Sequence, residues 1–364
     1  MNTVKDKQYS VFNGRKLRLE VFGASHAQEM GVYIDGLDGE NIDLDKLQEF
    51  LERRRAKNEA YSTKRIEGDK IKIVQGLSKD GFSGRFKAVI ENNCQRSKDY
   101  LNLEKKPRPS HADFVGFSKY GDDFDYRGGG KFSGRLTAPI CIAGGICKQI
   151  LERKGIKIQA FISKIGKVKG KSYKELTADI KDLIVEDINF PLLDNSTKEK
   201  MKEEIENASK NLDSVGGVID CVITGVPVGT GEYMFDSLES VISHLAFAVP
   251  AVKGIEFGTG FDLAESYGSQ VNDAFYYDGE RVKTKTNHNG GINGGMANGM
   301  PITFSVVVKP TPSIGIEQET VDLINKQNTK IKIEGRHDSC IVPRAVPVIE
   351  AISAIAIFDS LQGE

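Results

Sequence analysis

The stretch Tyr126-Arg-Gly-Gly-Gly-Lys-Phe-Ser-Gly-Arg-Leu-Thr-Ala138 joins three successive glycines to a long predicted helix. Glycine leaves backbone N–H groups open to close approach, and Arg127 and Arg135 stand on either side, so the segment reads as an anion cradle. An ordinary glycine turn is the competing reading. Thr137 is the predicted helix cap: Pro139 suits a first turn, and Ile140, Ala143, Cys147, Ile150 and Leu151 follow at helical spacing. A phosphate on the loop would then meet the positive end of a helix. Gly144-Gly145 lowers helix propensity, which predicts close packing against another element.

Three of the five histidines lie in short loop-like segments beside small residues. His26 sits in Gly23-Ala-Ser-His-Ala27, His111 in Arg108-Pro-Ser-His-Ala-Asp113, and His337 in Gly335-Arg-His-Asp338. His244 and His288 read as structural or solvent-facing. The spacing His337-x-x-Cys340 suits a metal, but no second pair completes a site, so no metal is expected.

The 364 residues carry 50 basic and 51 acidic side chains, a formal net charge of −1 that gives no general attraction for nucleic acid. Length allows two domains, but no linker or low-complexity tract divides the chain and the candidate motifs run from residue 22 to residue 344, so residues 1–364 read as one catalytic unit. The five cysteines form no CxxC pair and read as buried free thiols, which suits a cytoplasmic protein. Met1 to Ser10 is polar and no run reaches membrane-spanning length, so neither an export signal nor a membrane is expected.

Leu17, Leu19 and Val21 alternate with charged residues and predict a strand; Val32-Tyr-Ile34 predicts another. Asp43 is the predicted cap of a helix with Leu44, Leu47, Phe50 and Leu51 on one face, ending in Arg53-Arg54-Arg55. Those arginines either serve the helix dipole or reach a phosphate. Residues 71–75 and 85–91 predict a hairpin, 158–165, 218–224 and 302–309 further strands, and the segment from about Pro347 to Leu361 an apolar helix. Ser196-Thr-Lys-Glu199 has a capping-box pattern, and a helix capped at Asp236 is predicted after the strand 218–224. The strand, glycine-rich turn and capped helix there repeat the order of residues 32–55, which suggests an internal duplication and an α+β fold with mainly antiparallel sheets.

Read together, Gly23–His26, Arg96-Ser-Lys-Asp-Tyr100, Arg108–Asp113, Arg127–Gly130, Asn287-His-Asn-Gly-Gly291, Lys309-Pro-Thr311 and Gly335–Asp338 occur in an order that resembles the chorismate synthase family across nearly the whole chain. The resemblance implies a β-α-β sandwich assembled as a homotetramer. It also implies a lyase that converts 5-enolpyruvylshikimate 3-phosphate to chorismate and phosphate with reduced FMN, NADPH being a candidate reductant. By the same resemblance, His26 would protonate the departing phosphate, His111 would serve the reduced flavin, and Asp338 would lie near flavin N5. Arg54, Arg135, Arg344 and Ser25 would hold substrate. Lys131, Phe132, Ser133, Pro250, Ala251, Gly294, Lys309, Pro310, Thr311, Pro312, Ser313 and Arg336 would contact FMN. The chain departs from the family pattern at Ala24, Ala27, Ala56-Lys57, Ala60 and Lys131–Leu136. A divergent active member is therefore expected, the alternative being a paralogue that binds flavin or a phosphorylated ligand without the elimination.

Overall fold

The computed structural model describes residues 9–55, 68–92, 105–176, 180, 183, 185, 187–333 and 338–361. Cys94, the segment 96–100, Ala56, Lys57, Ala60, Arg336 and His337 lie outside the described residues.

The first sheet contains β1 (Tyr9–Asn13), β2 (Arg18–Phe22), β3 (Glu29–Asp35), β4 (Ile71–Ser78) and β5 (Gly81–Glu91) in the order β1-β2-β3-β5-β4. All neighbours are antiparallel. The strand alternation is resolved as the pattern predicts: Leu17 and Leu19 are buried, while Arg18 and Glu20 pair with each other on the other face. Between β3 and β4 lies α1 (Leu44–Glu52), whose first turn is capped by Asp43, the side chain accepting from the N–H groups of Asp45 and Lys46. Leu47, Phe50 and Leu51 form its buried face; Leu44 is exposed.

Two helices follow, α2 (Asp113–Tyr120) and α3 (Thr137–Arg153), then β6 (Lys157–Ile165), β7 (Val168–Lys169), α4 (Lys198–Lys210), β8 (Gly217–Thr224), α5 (Leu238–Ala248) and β9 (Val252–Phe257). After a short α6 (Gly268–Val271) come the hairpins β10 (Phe275–Asp278) with β11 (Arg281–Thr284) and β12 (Ile292–Asn293) with β13 (Met296–Ala297). Next is β14 (Ile302–Val308), then a third hairpin, β15 (Gln318–Asp322) with β16 (Gln327–Ile331), and last α7 (Val342–Ser360). The second sheet runs β7-β6-β8-β14-β9, again antiparallel throughout.

The strands β2, β3, β5, β4 with α1 and α3 share one connectivity with β6, β8, β14, β9 with α5 and α7. Each sheet buries one face under its own pair of helices, and α3 packs on α7 between the sheets, so the layers run sheet, helices, sheet. The repeated order noticed around residues 32–55 and 218–249 is thus part of a longer repeat of topology.

The contact of α3 with α7 explains the glycine pair. A Cβ built on Gly144 would lie 2.3 Å from Ala351 Cα, and one on Gly145 would lie 2.6 Å from Leu47 Cδ1. Every residue of α7 except Arg344 is buried, which explains a sequence apolar on all sides.

Several predicted caps are corrected. Leu136 precedes α3, and Thr137 is its first residue, its hydroxyl donating to Gly134 O (2.6 Å); Ser133 instead caps the single 3₁₀ turn before it. Ser237, not Asp236, accepts from Ser240 N at the start of α5. Asp194 caps the turn ahead of α4, so the pattern at Ser196 does not form a capping box. The last helix starts at Val342, a turn before Pro347, because Pro343 takes the first-turn position in which a missing N–H costs nothing.

Gly144→Ala gains about 0.5–1 kcal/mol of backbone entropy but forces the two helices apart, an overpacking cost of about 1–3 kcal/mol. Net destabilisation is the expected outcome of a urea titration; an unchanged or raised midpoint would contradict the close contact.

Candidate active site

The glycine triplet has left-handed backbone at all three positions, with φ of 58° at Gly128, 85° at Gly129 and 53° at Gly130. That conformation suits glycine, and the space around it requires glycine twice over. A Cβ on Gly128 would sit 2.5 Å from Ser25 Oγ and 2.6 Å from His26 Cε1, and one on Gly129 would sit 3.3 Å from His111 Nε2. Ser25 N donates to Gly130 O at 3.0 Å. The triplet is therefore the surface on which the two histidine loops meet. The anion-cradle reading is corrected accordingly: Arg127 turns away to Asp125 (Nε–Oδ1 2.8 Å, Nη2–Oδ2 3.0 Å), and Arg135 is the one of the flanking pair that faces the cavity.

A cavity of about 800 Å³ opens beside this junction. Of the candidate residues, Ser25, Arg54, His111, Lys131, Phe132, Ser133, Arg135, Pro250, Ala251, Lys309, Thr311, Pro312, Ser313, Asp338 and Arg344 line it. Sequence positions from 25 to 344 thus converge on one space. Pro310 and Gly294, the latter in the β12–β13 turn, are not among the lining residues. His26 stands behind Ser25 and Gly128, 6% exposed. Its Nδ1 lies 3.1 Å from Arg127 O; a carbonyl only accepts, so Nδ1 carries the proton and Nε2 is the exchangeable side.

Two hydrogen-bonded clusters supply the charge. In the first, buried Asp69 accepts from Arg54 Nη2 (3.1 Å) and Arg135 Nη1 (2.5 Å). Arg344 Nε donates to Arg54 O (3.0 Å) and its Nη1 to Asp338 Oδ2 (2.5 Å). Burial pulls Arg54 down to about 10 despite Asp69, with Arg135 and Arg344 pulling the same way. Burial also opposes ionisation of Asp69, but Arg54 and Arg135 outweigh it and hold the carboxyl below its usual range. Asn92 joins this cluster to the His26 loop, accepting from Arg135 Nη2 (3.1 Å) and donating to Ala27 O (2.8 Å). Of the run Arg53-Arg54-Arg55, only Arg54 faces the cavity; Arg53 is locked to buried Glu350 of α7 by two bonds of 2.7 and 2.9 Å.

In the second cluster, Arg108 binds Asp113 and Ser313, His111 Nδ1 lies 2.7 Å from Asp113 Oδ1, and Lys309 Nζ donates to Ser110 O at 2.6 Å. Burial, and then the nearby charge of Lys253, pulls Lys309 below the usual lysine range. Thr311 donates to Asp338 O (2.9 Å), which ties the two clusters together. Among the described residues, lysines 131, 253 and 309 and arginines 54, 108, 135 and 344 line the cavity against one lining carboxylate, Asp338, so the space suits an anion. Residues Phe247 to Val252 with Ile341, Ala345 and Val348 add a largely apolar wall.

Sequence reading missed Asp69, Asn92 and Lys253, and it gave Arg108 and Asp113 no role. Asp69 and Asn92 stand alone in their segments, and nothing local marks them; only the fold brings Asn92 to Arg135. Arg108 and Asp113 flank a histidine at close spacing, which is a usable signal for a local ion pair.

A family model described as chorismate synthase matches residues 17–361. A chorismate synthase of Dehalococcoides mccartyi is 41% identical over 349 residues, 95% of each chain, and one of Thermococcus kodakarensis is 43% identical over 351 residues, 96% of each. A crystal structure of a chorismate synthase superposes with a TM-score of 0.72 over 96% of this chain and 92% of that one, at 24% identity, a likeness of fold. By sequence match over nearly its whole length, the chain belongs to the chorismate synthase family.

Proposed function

We propose that the protein converts 5-enolpyruvylshikimate 3-phosphate to chorismate and phosphate by trans elimination with reduced FMN, and that the cavity described above is where it does so. The observation that carries this reading is one cavity lined by Arg54, Arg135 and Arg344, by Lys131, Lys253 and Lys309, and by His111, with His26 directly behind its wall. Breaking a C–O bond to phosphate needs cations for the leaving group and an acid to protonate it. Arg54 and Arg135, fixed by one buried carboxylate, are arranged as a rigid pair for the phosphate. His26 gives its Nε2 proton to the departing phosphate while Arg127 O holds Nδ1–H.

The residues also fit FMN. A cavity of about 800 Å³ lies within the range of cofactor sites, Lys253, Lys309, Thr311 and Ser313 offer donors for its phosphate, and the wall from Phe247 to Val252 offers apolar surface for its rings. When bound, reduced FMN supplies the electron-rich partner of an elimination without net redox change. His111 handles the proton of that partner, and Asp338, oriented by Arg344, faces the same space. Nothing favours the binding-only paralogue. The electrons for FMN come from NADPH or from another cellular reductant. The reading places the working protein in the cytoplasm as a homotetramer, for which exposed Phe235, Phe261, Tyr267 and Tyr277 provide apolar surface. No helix among the described residues is long and apolar enough to cross a membrane.

An anaerobic assay with the phosphorylated substrate and chemically reduced FMN is expected to yield chorismate. His26→Ala and His111→Ala should each lower turnover about 100- to 10,000-fold in a folded protein; near-wild-type rates in both would remove their assigned roles. Asp69→Asn leaves Arg54 and Arg135 buried together, at a cost of about 3–5 kcal/mol. Thermal unfolding should therefore occur at lower temperature, with inorganic phosphate restoring part of the loss. An unaltered unfolding temperature would refute the shared-carboxylate arrangement. Sedimentation of a monomer would refute the tetramer.

A further inference from the structure

The loop carrying His111 is held more tightly than a cavity wall requires. Arg108 grips Asp113 with two side-chain bonds, Nε to Oδ2 at 2.7 Å and Nη2 to Oδ1 at 2.8 Å, and its own backbone N–H adds a third at 3.1 Å. His111 Nδ1 lies 2.7 Å from Asp113 Oδ1. Burial opposes ionisation of Asp113, but the hydrogen bonds from Arg108 and His111 outweigh it and hold the carboxyl well below the usual range. An ionised carboxylate only accepts, so so short a contact puts the ring proton on Nδ1. Arg108 Nη2, 3.1 Å from Nδ1, is directed at the same Oδ1. On the far side of the ring, Nε2 faces Gly129, where a Cβ would come within 3.3 Å. Ser110, just before the histidine, is left-handed (φ 58°) and pinned by Lys309.

Arg108 supplies the charge opposite to Asp113 within the same contact, so the Arg108–Asp113 pair is neutral. The neighbouring cavity walls add Lys131 and Lys309, both cations.

We propose that Asp113, clamped by Arg108, is a positioning residue for His111: it keeps the ring proton on Nδ1 and leaves Nε2 as the acceptor face of the ring. This deepens the proposed function, which uses His111 to handle a proton, but its test reads the histidine directly and does not depend on chorismate formation.

The experiment is ¹⁵N NMR of the whole, ligand-free protein labelled at histidine, with the His111 signal assigned by its loss in His111→Gln. In the wild type, neutral His111 is expected in the Nδ1–H tautomer. Asp113→Ala removes the acceptor and leaves Arg108 Nη2 to donate to Nδ1, so His111 should move to the Nε2–H tautomer. An Nε2–H tautomer in the wild type, or an Asp113→Ala variant that keeps Nδ1–H, overturns the proposal. The wild-type tautomer decides the matter if Asp113→Ala does not fold.

Discussion

The approach of α3 to α7 sets the frame for everything else. At Gly144 the helices come so close that not even a methyl group fits against Ala351, and this contact joins two sheets that otherwise have separate helices. It also fixes where the cationic groups emerge. Arg135 lies one turn before α3, Arg344 lies in the first turn of α7, and Arg54 follows α1, which packs on α3. Bringing the starts of two central helices together places their arginines around one space, with the positive ends of both dipoles nearby.

Gathering so many cations is costly, and the structure offsets the cost with carboxylates that are buried behind the wall instead of in it. Asp69 sits behind Arg54 and Arg135, and Asp113 behind Arg108. This arrangement holds each guanidinium in place and leaves its exposed edge for a ligand. Arg54 shows the residual imbalance: burial pulls it to about 10 although Asp69 is in contact. A dianion bound there would complete the neutralisation, and the proposed use of the cavity for a phosphate accords with that imbalance.

The two histidines are treated differently. His26 is steadied by a backbone carbonyl, which fixes a proton without adding charge, whereas His111 is steadied by an ion pair. Both pack against the glycine triplet, whose left-handed backbone removes every side chain from the point where the loops cross; His111 lines the cavity and His26 stands behind its wall. In the sequence this triplet looked like a ligand loop; its chief task is to let other loops through.

Local features were legible from the chain alone. The alternation at Leu17–Val21, the Asp43 cap, the β4–β5 hairpin and the demand for close packing at Gly144-Gly145 depend on neighbours a few residues away, and the structure agrees with each. The motif set also identified the family and most of the residues that line the cavity. Caps were misjudged where two polar residues stood side by side, as at Asp236-Ser237, because backbone geometry selects between them. The hairpins β10–β11 and β15–β16 and the strand β1 carry few buried apolar residues, so periodicity passed over them. The roles of Asp69 and Asn92 were decided by tertiary structure, since a buried ion pair or a bridging amide depends on which distant segments meet. The order of residues determines which groups are available and how each segment bends; only the packing of α3 on α7 determines which charges share a cavity and which are turned away.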